Sequence, residues 1–193
     1  MRILPHILTF FQTAFLCCTL VACAQKPSPT KLHNNQSLKE WQILGLVALN
    51  MPNQHVSATL NWVQDNQNYR LDLVGTLGIG HVSIIGSPQF IQLETAKGRE
   101  YSAKNPKALM QKTLGWSLPI ADLYYWIRGL PAPDKAYQAQ YGVGHQLLEL
   151  QQNGWQIKYQ QYAIFNNYAL PSRMELKSHG IQVKIALKHW KLP

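Results

Sequence analysis

The chain has 193 residues, 46% of them hydrophobic and 14% charged, and carries a net charge of +9. This length suits one domain with its own core, and the low charged fraction and six tryptophans exclude a largely disordered chain. Lysine and arginine are scattered singly. That pattern argues against nucleic acid as a partner and leaves either an attraction to anionic lipid or a solvated basic surface without a partner. The three cysteines and seven histidines lack metal-ligand spacing, so neither a disulfide framework nor a metal site is predicted.

Residues 1–22 are typical of an export signal. Arg2 opens the segment, an apolar stretch follows, and small residues end it. Gln12 and Thr13 lie within the stretch and disfavour the alternative of a membrane-spanning helix. Leu20-Val21-Ala22-Cys23 resembles a bacterial lipobox, which predicts acylation of Cys23; the alternative is a chance cysteine behind an ordinary signal. Ala24, where Asp would direct retention, resembles the signal for an outer-membrane destination.

Residues 24–36 are rich in Pro, Ser, Asn and Gln and show no periodicity. This composition is typical of a flexible tether. We therefore expect a signal peptide over residues 1–22, the lipidated cysteine and its tether over 23–36, and a single folded domain over 37–193.

The first elements predicted in the domain are a short helix and several strands. Ser37 stands three residues before Glu40, as in a capping box, which predicts a helix over Ser37–Leu44. His55–Asp65 alternates apolar and polar residues, which predicts a strand with one buried face. Turn residues follow at 65–68. Shorter strands are then predicted at Tyr69–Leu73, Val82–Ile85 and Ile91–Glu94. Lys97-Gly98 predicts a tight hairpin after them.

Two helices are predicted in the middle of the chain. Asn105 is a capping residue before Pro106, and Gly115 ends the helix that begins there. Pro119 opens the second helix, whose apolar residues lie at helical spacing as far as Ile127. The pattern leaves open whether these helices pack flush on a sheet or leave an apolar gap.

Strands return after the helices, at Trp155–Tyr159 and Ile181–Trp190, with a tight hairpin at His179-Gly180. Successive short strands without a βαβ rhythm predict an antiparallel meander. The predicted fold class is therefore mainly β (α+β), with an antiparallel sheet and two or three helices.

The sequence shows no pattern that indicates an enzyme. Gly75, Gly78 and Gly80 imitate a phosphate loop, but Ile79–Ile85 is predicted as a strand, so no helix N-terminus follows to hold a phosphate. Gly86-Ser87-Pro88 lacks the frame of a nucleophile elbow. We therefore predict no catalytic residue, although a hydrolase remains the last alternative.

Four aromatic and proline-containing segments occur in a distinctive order. They are Gly115–Pro119, Tyr125–Pro131, Gln152–Tyr159 and Leu170–Leu176. Together with the terminal strand Lys184–Trp190, they resemble the LolB family, outer-membrane lipoproteins that receive other lipoproteins from the periplasmic carrier LolA. The resemblance runs from about residue 38 to the end of the chain.

The resemblance implies an open, incomplete antiparallel β-barrel whose apolar concave face is covered by two or three helices. It implies a monomer anchored in the outer membrane through Cys23, facing the periplasm. Its partners would be a LolA-type carrier, acylated lipoprotein cargo and the inner leaflet of the outer membrane. It implies no catalysis, nucleotide, other cofactor or metal, and no nucleic acid as a partner.

The resemblance also implies a membrane-insertion loop. In the family, an exposed leucine in a Pro-Leu-Gly segment places cargo into the membrane, and Gly75-Thr76-Leu77-Gly78 matches this segment with Leu77 as the candidate. Thr76 stands in place of the family proline, which predicts a less rigid loop. The alternative is that Leu77 folds back onto the core.

Apolar strand and helix faces supply candidates for the acyl cavity, and any of them is alternatively an ordinary core residue. The candidates are Leu60, Trp62, Leu71, Leu73, Ile84, Leu93, Leu123, Trp126, Ile127, Trp155 and Ile157. Tyr125 and Arg128, at the other edge of the second helix, are candidates to meet a polar head region.

Two other functions remain open at this point. A lipocalin-like periplasmic binder of a small free lipid would use the same kind of barrel pocket. An inert structural lipoprotein would have a filled core instead.

Overall fold

The computed structural model describes residues 32–75, 80–87 and 90–193. These residues form one antiparallel sheet of eleven strands and two α-helices. The strands are β1 (Glu40–Met51), β2 (Gln54–Asp65), β3 (Asn68–Gly75), β4 (His81–Ser87), β5 (Phe90–Thr95), β6 (Glu100–Ala103), β7 (Tyr137–Tyr141), β8 (Leu147–Gln152), β9 (Trp155–Phe165), β10 (Tyr168–Ser178) and β11 (Ile181–Lys191). The helices, α1 (Pro106–Leu114) and α2 (Ile120–Trp126), lie between β6 and β7 in the chain, and short 3₁₀ turns occur at Asn35–Ser37 and Val143–His145.

The sheet consists of two meanders joined at one seam. Strands β1 to β6 pair in sequence, strands β7 to β11 do the same, and β1 pairs with β11. Strands β6 and β7 stand at opposite edges and do not pair with each other among the described residues. The predicted antiparallel meander, not closed into a barrel, is therefore confirmed.

The alternating segment predicted as His55–Asp65 is strand β2. Ala58, Leu60 and Trp62 are buried. The intervening Ser57 and Thr59 are exposed. Period-two burial of this kind places every second side chain on the covered face of the sheet. The candidate functional site lies on this face.

Residues with a positive φ angle form the hairpin turns at the predicted positions. Asn66 has a φ of 53° in the β2–β3 turn, and His179 and Gly180 have φ of 43° and 79° between β10 and β11. Asn and Gly adopt this left-handed region most easily. At the β5–β6 turn the Gly98 N–H donates to the Thr95 carbonyl at 2.9 Å.

Helix α1 begins and ends where its local signals predicted. The Asn105 side-chain oxygen accepts from the Ala108 N–H at 3.1 Å, Pro106 is the first helical residue, and Gly115 ends the helix at a φ of 78°. Helix α2 follows after five intervening residues and begins directly after Pro119. Across the described ranges, neither helix has the length and apolar character needed to span a bilayer.

The helix predicted over Ser37–Leu44 is wrong, because Glu40 begins strand β1. Strand β1 pairs with β2 from Glu40 opposite Asp65 to Met51 opposite Gln54, and with β11 on its other side. Pairing on both sides outweighs a local capping signal, since strand formation depends strongly on tertiary context. The Ser37 hydroxyl instead donates to the Asn34 carbonyl in the 3₁₀ turn.

Candidate functional site

An apolar cavity of 330 Å³ lies between the covered face of the sheet and the helical region. Strands β1 to β4 and β11 form its floor. Helix α1, the segment after it, and Leu123 and Ile127 of the α2 region close it from above. The sequence patterns did not decide whether the helices pack flush on the sheet or leave an apolar gap. The structure has such a gap beneath the helices.

Small residues create this space. Ala58 stands opposite Gly75 on one side and opposite Val47 on the other. All three line the cavity. Since neither Ala58 nor Gly75 carries a side chain longer than a methyl group, the sheet contributes little side-chain volume at this point.

Six of the eleven predicted cavity residues line this space; they are Leu60, Trp62, Leu71, Leu73, Leu123 and Ile127. The other five lie outside its lining, in the core or packed against it: Ile84, Leu93, Trp126, Trp155 and Ile157. Ile84 and Leu93, for example, stand opposite each other across β4 and β5. Direct contact of any of the eleven with an acyl chain stays a prediction.

Hydrogen bonds fix two of the tryptophans. The Trp62 Nε1 donates to Gln64 Oε1 at 2.9 Å, and the Trp126 Nε1 donates to Gln152 Oε1 at 2.9 Å. Gln152 also accepts from the Ala132 N–H at 2.8 Å and donates to the Ala132 carbonyl at 2.8 Å. A buried indole that keeps its hydrogen bond holds one orientation. The cavity wall at Trp62 is therefore preorganised.

Ion pairing and hydrogen bonding hold the beginning of α2. The buried Asp122 accepts from the Asn153 side chain at 2.7 Å and pairs with Lys135. Asn153 lies in the turn between β8 and β9. These contacts connect the covering helix to the second half of the sheet.

Arg128 holds the other end of α2 and is only 2% exposed. Its guanidinium donates to the carbonyls of Leu38 at 2.6 Å and Tyr124 at 3.0 Å, and its Cζ lies 3.9 Å from the centre of the Tyr124 ring. Asn35 donates back to the Arg128 carbonyl at 2.9 Å. Burial lowers the pKa of Arg128. The residue predicted to meet a head group thus fastens the segment before β1 to the covering helix.

Comparison with known proteins places this architecture in a family. Residues 39–190 match the family described as outer membrane lipoprotein LolB. The chain is 40% identical over 153 residues to an outer-membrane lipoprotein LolB of Coxiella burnetii, an alignment that covers 79% of this chain and 72% of the relative. A LolB of Pseudomonas putida is 38% identical over 166 residues, covering 85% and 81% of the two chains. The chain belongs to the LolB family.

The fold of this LolB-family chain also occurs in solved structures of very different sequence. A LolA superfamily protein from Nitrosomonas europaea superposes with a TM-score of 0.56 at 8% identity, covering 81% of this chain and 87% of that protein. At this identity the likeness concerns the fold alone. The same open sheet therefore serves sequences that share few residues.

Two predicted site residues, Cys23 and Leu77, lie outside the described residues. The described neighbours of Leu77 are informative, because the Gly75 N–H donates to the Gly80 carbonyl at 2.8 Å. Both glycines line the cavity. Gly75 and Gly80, the described residues on either side of 76–79, therefore both lie at the cavity.

Several lining residues were missed from the sequence. Val47 and Leu49 belong to the part of β1 after Leu44, for which no element was predicted. Val56 and Ala58 lie on the same alternating face as Leu60 and were not selected. Trp116 belongs to one of the LolB-like segments and was not assigned to the cavity either. Period-two alternation of β2 is the signal that identifies Val56 and Ala58.

Proposed function

We propose that this LolB-family lipoprotein accepts acylated lipoproteins from a LolA-type periplasmic carrier and inserts them into the outer membrane, without nucleotide or catalysis. The apolar cavity between the sheet and helix α2 supports this proposal most directly. Membership of a lipoprotein family favours it over a binder of a small free lipid.

The proposal includes an anchor and a tether. Residues 1–22 direct export, acylated Cys23 holds the chain in the outer membrane facing the periplasm, and residues 23–36 connect it to a monomeric domain over 37–193. More than one acyl chain is needed for a stable anchor, because a single chain binds a bilayer only marginally. The predicted lipobox at Cys23 supports this arrangement.

Burial of acyl chains explains why a protein cavity is needed. Each methylene group costs about 0.8 kcal/mol when it is exposed to water. Free passage of a triacylated protein through the periplasm is therefore prohibitive. Transfer from carrier to receptor requires only a higher affinity in the receptor, and release follows because the bilayer is a deeper apolar phase.

The cavity has to widen to hold its cargo. Its 330 Å³ lies at the lower end of the ~300–1,000 Å³ typical of ligand pockets, whereas a lipoprotein carries several long chains. Leu123 and Ile127 line the cavity from the helical side. We therefore expect the α2 region to move away from Leu60, Leu71 and their neighbours on the sheet when cargo enters.

The transfer step is tested with a soluble form that lacks Cys23. This form should take acylated cargo from a loaded LolA-type carrier in solution, as measured by separating the two proteins and locating the cargo. Cargo that stays on the carrier under all conditions would contradict the receptor role. Ala132→Leu changes a buried site outside the cavity lining among the described residues. Uptake by this variant shows whether a loss of stability by itself prevents transfer.

The insertion step is tested at Leu77. Leu77→Glu should leave uptake from the carrier unchanged and stop delivery to lipid vesicles, because a charged side chain opposes entry into the acyl region. Val143→Glu is the matched control, since Val143 is a single apolar residue that is 96% exposed on another loop. Loss of uptake in Leu77→Glu would assign Leu77 to the cavity or core instead.

A further inference from the structure

A second and larger hollow, of 650 Å³, lies at the other end of strands β2 and β3. It is lined by Asn66 and Gln67 of the β2–β3 turn and by Ile120 and Ala121 of α2, and we call it the distal hollow. The 330 Å³ cavity extends to the opposite ends of these strands, at residues 54 and 75. The concave face of the sheet therefore carries two hollows in series.

A partition of side chains separates the two spaces. Trp62 lines the cavity and Gln64 lines the distal hollow, and these two side chains share the 2.9 Å hydrogen bond described above. Gln64 in turn donates to the Asn66 carbonyl at 2.9 Å. Leu118 lines both spaces. Trp41, which lines neither space, packs against Trp62 of the cavity at a ring-centroid distance of 5.0 Å and against Tyr124 of the distal hollow at 6.3 Å. The partition therefore includes the Trp62–Gln64 pair, Leu118 and the buried Trp41.

The lining of the distal hollow suits an acyl chain and its ester group. Its apolar part is contributed by Tyr69, Leu118, Pro119, Ile120, Tyr124 and Tyr125. Lys39 and Lys107 contribute hydrogen-bond donors to the same lining. Among the described residues that line it there is no Asp or Glu. Ester and amide carbonyl oxygens, which accept hydrogen bonds, match this combination.

We propose that the distal hollow holds a second acyl chain of the same lipoprotein cargo, while the 330 Å³ cavity holds the first. This inference rests on the proposed function and adds a division of the cargo chains between two subsites. Because Leu118 lines both spaces, the two subsites adjoin each other, as the chains of one multiply acylated group require. The donors Lys39 and Lys107 are placed to bind its ester carbonyls.

The test fills each space separately. Ala121→Trp fills the distal hollow from an exposed helical position, so the core is not altered. Ala108→Trp is the matched control, because Ala108 is exposed on α1 and lies outside the described lining of both spaces. Ala58→Leu fills the cavity.

Binding of synthetic lipopeptides with three acyl chains or one is measured by titration of the soluble form. Ala121→Trp should weaken binding of the three-chain lipopeptide tenfold or more and leave the one-chain lipopeptide unchanged, whereas Ala58→Leu should weaken both. Tenfold corresponds to about 1.4 kcal/mol, which is the burial of about two methylene groups.

Equal affinity of Ala121→Trp and Ala108→Trp for the three-chain lipopeptide would overturn the second subsite. Binding of a short-chain phosphatidylglycerol is titrated in parallel. If Ala121→Trp weakened the binding of this phospholipid and not that of the three-chain lipopeptide, the second subsite would also be overturned, since the distal hollow would then belong to a membrane phospholipid. If the unmodified soluble form bound neither lipopeptide, the proposed function itself would fail, which distinguishes the two failures.

Discussion

Filling the cavity should make the protein more stable and less able to bind cargo. Ala58 is 5% exposed on β2, stands opposite Gly75 and lines the 330 Å³ cavity. In Ala58→Leu the added side chain enters a space that is mainly apolar and is covered by the helical region. We therefore expect a higher free energy of unfolding together with weaker acyl-chain binding.

The magnitude follows from the added groups. Leucine brings three more carbon atoms than alanine, and their burial contributes about 2.4 kcal/mol at 0.8 kcal/mol each. Fixing the leucine side chain costs about 0.5–1 kcal/mol. The expected net gain at Ala58 is therefore about 1.5–2 kcal/mol. The same substitution in a fully packed site destabilises a protein by about 1–3 kcal/mol, so the sign of the change distinguishes a hollow from a packed core.

Urea unfolding of the soluble domain, followed by tryptophan fluorescence, measures the stability, and titration with an acylated peptide measures the binding. Ala132→Leu is the control, because Ala132 is 3% exposed and its backbone is held by Gln152. This control should be destabilised and should bind cargo normally. Destabilisation of Ala58→Leu with unchanged binding would refute the assignment of the cavity.

Three further predictions concern the groups that hold the structure around the cavity. Arg128→Met should lower the free energy of unfolding by about 3 kcal/mol or more, because several carbonyl groups lose their donor. It should also increase hydrogen exchange at residues 34–38. Arg128→Lys should be destabilised as well, since lysine lacks the planar guanidinium. Gln152→Leu should destabilise the domain by about 2–4 kcal/mol, since the Trp126 indole and the Ala132 peptide lose their partners, and near-ultraviolet circular dichroism should report the freed indole. Glu175→Gln should weaken the dependence of the free energy of unfolding on pH in the acid range. The hydrogen bond from Lys177 lowers the pKa of Glu175 below its ordinary value, so the unmodified protein loses this stabilisation as the pH falls through the lowered pKa. Urea unfolding between about pH 3 and pH 6 should show the difference between the two proteins.

The elements that were correctly predicted have signals that are local in the sequence. The signals of helix α1 lie within eleven consecutive residues: the capping Asn105, the first-turn Pro106 and the terminal Gly115. All three have the predicted role in the structure. Strand β2 needs only its own alternation to define its two faces. Strand β1 differs, because Ser37 and Glu40 give a local helix signal that its two neighbouring strands override.

The site itself depends on contacts between distant residues. Arg128 and Leu38 are 90 positions apart. No local pattern indicates that a guanidinium after α2 holds the segment before β1. The same limit applies to Asp122, whose partners Lys135 and Asn153 belong to a loop and a turn further along the chain.

Alternation alone also fails to distinguish a cavity wall from a packed core. Leu60 and Leu93 both point to the covered face of the sheet and are 4% and 0% exposed, yet only Leu60 of these two lines the cavity. Leu93 stands opposite Ile84 and is covered by packed neighbours. Leu60 lies two residues from Ala58. Ala58 stands opposite Gly75, and both of these residues have little or no side chain. The cavity is therefore a property of paired small residues across strands, and a search for lipid cavities in such sheets should score cross-strand pairs rather than single apolar residues.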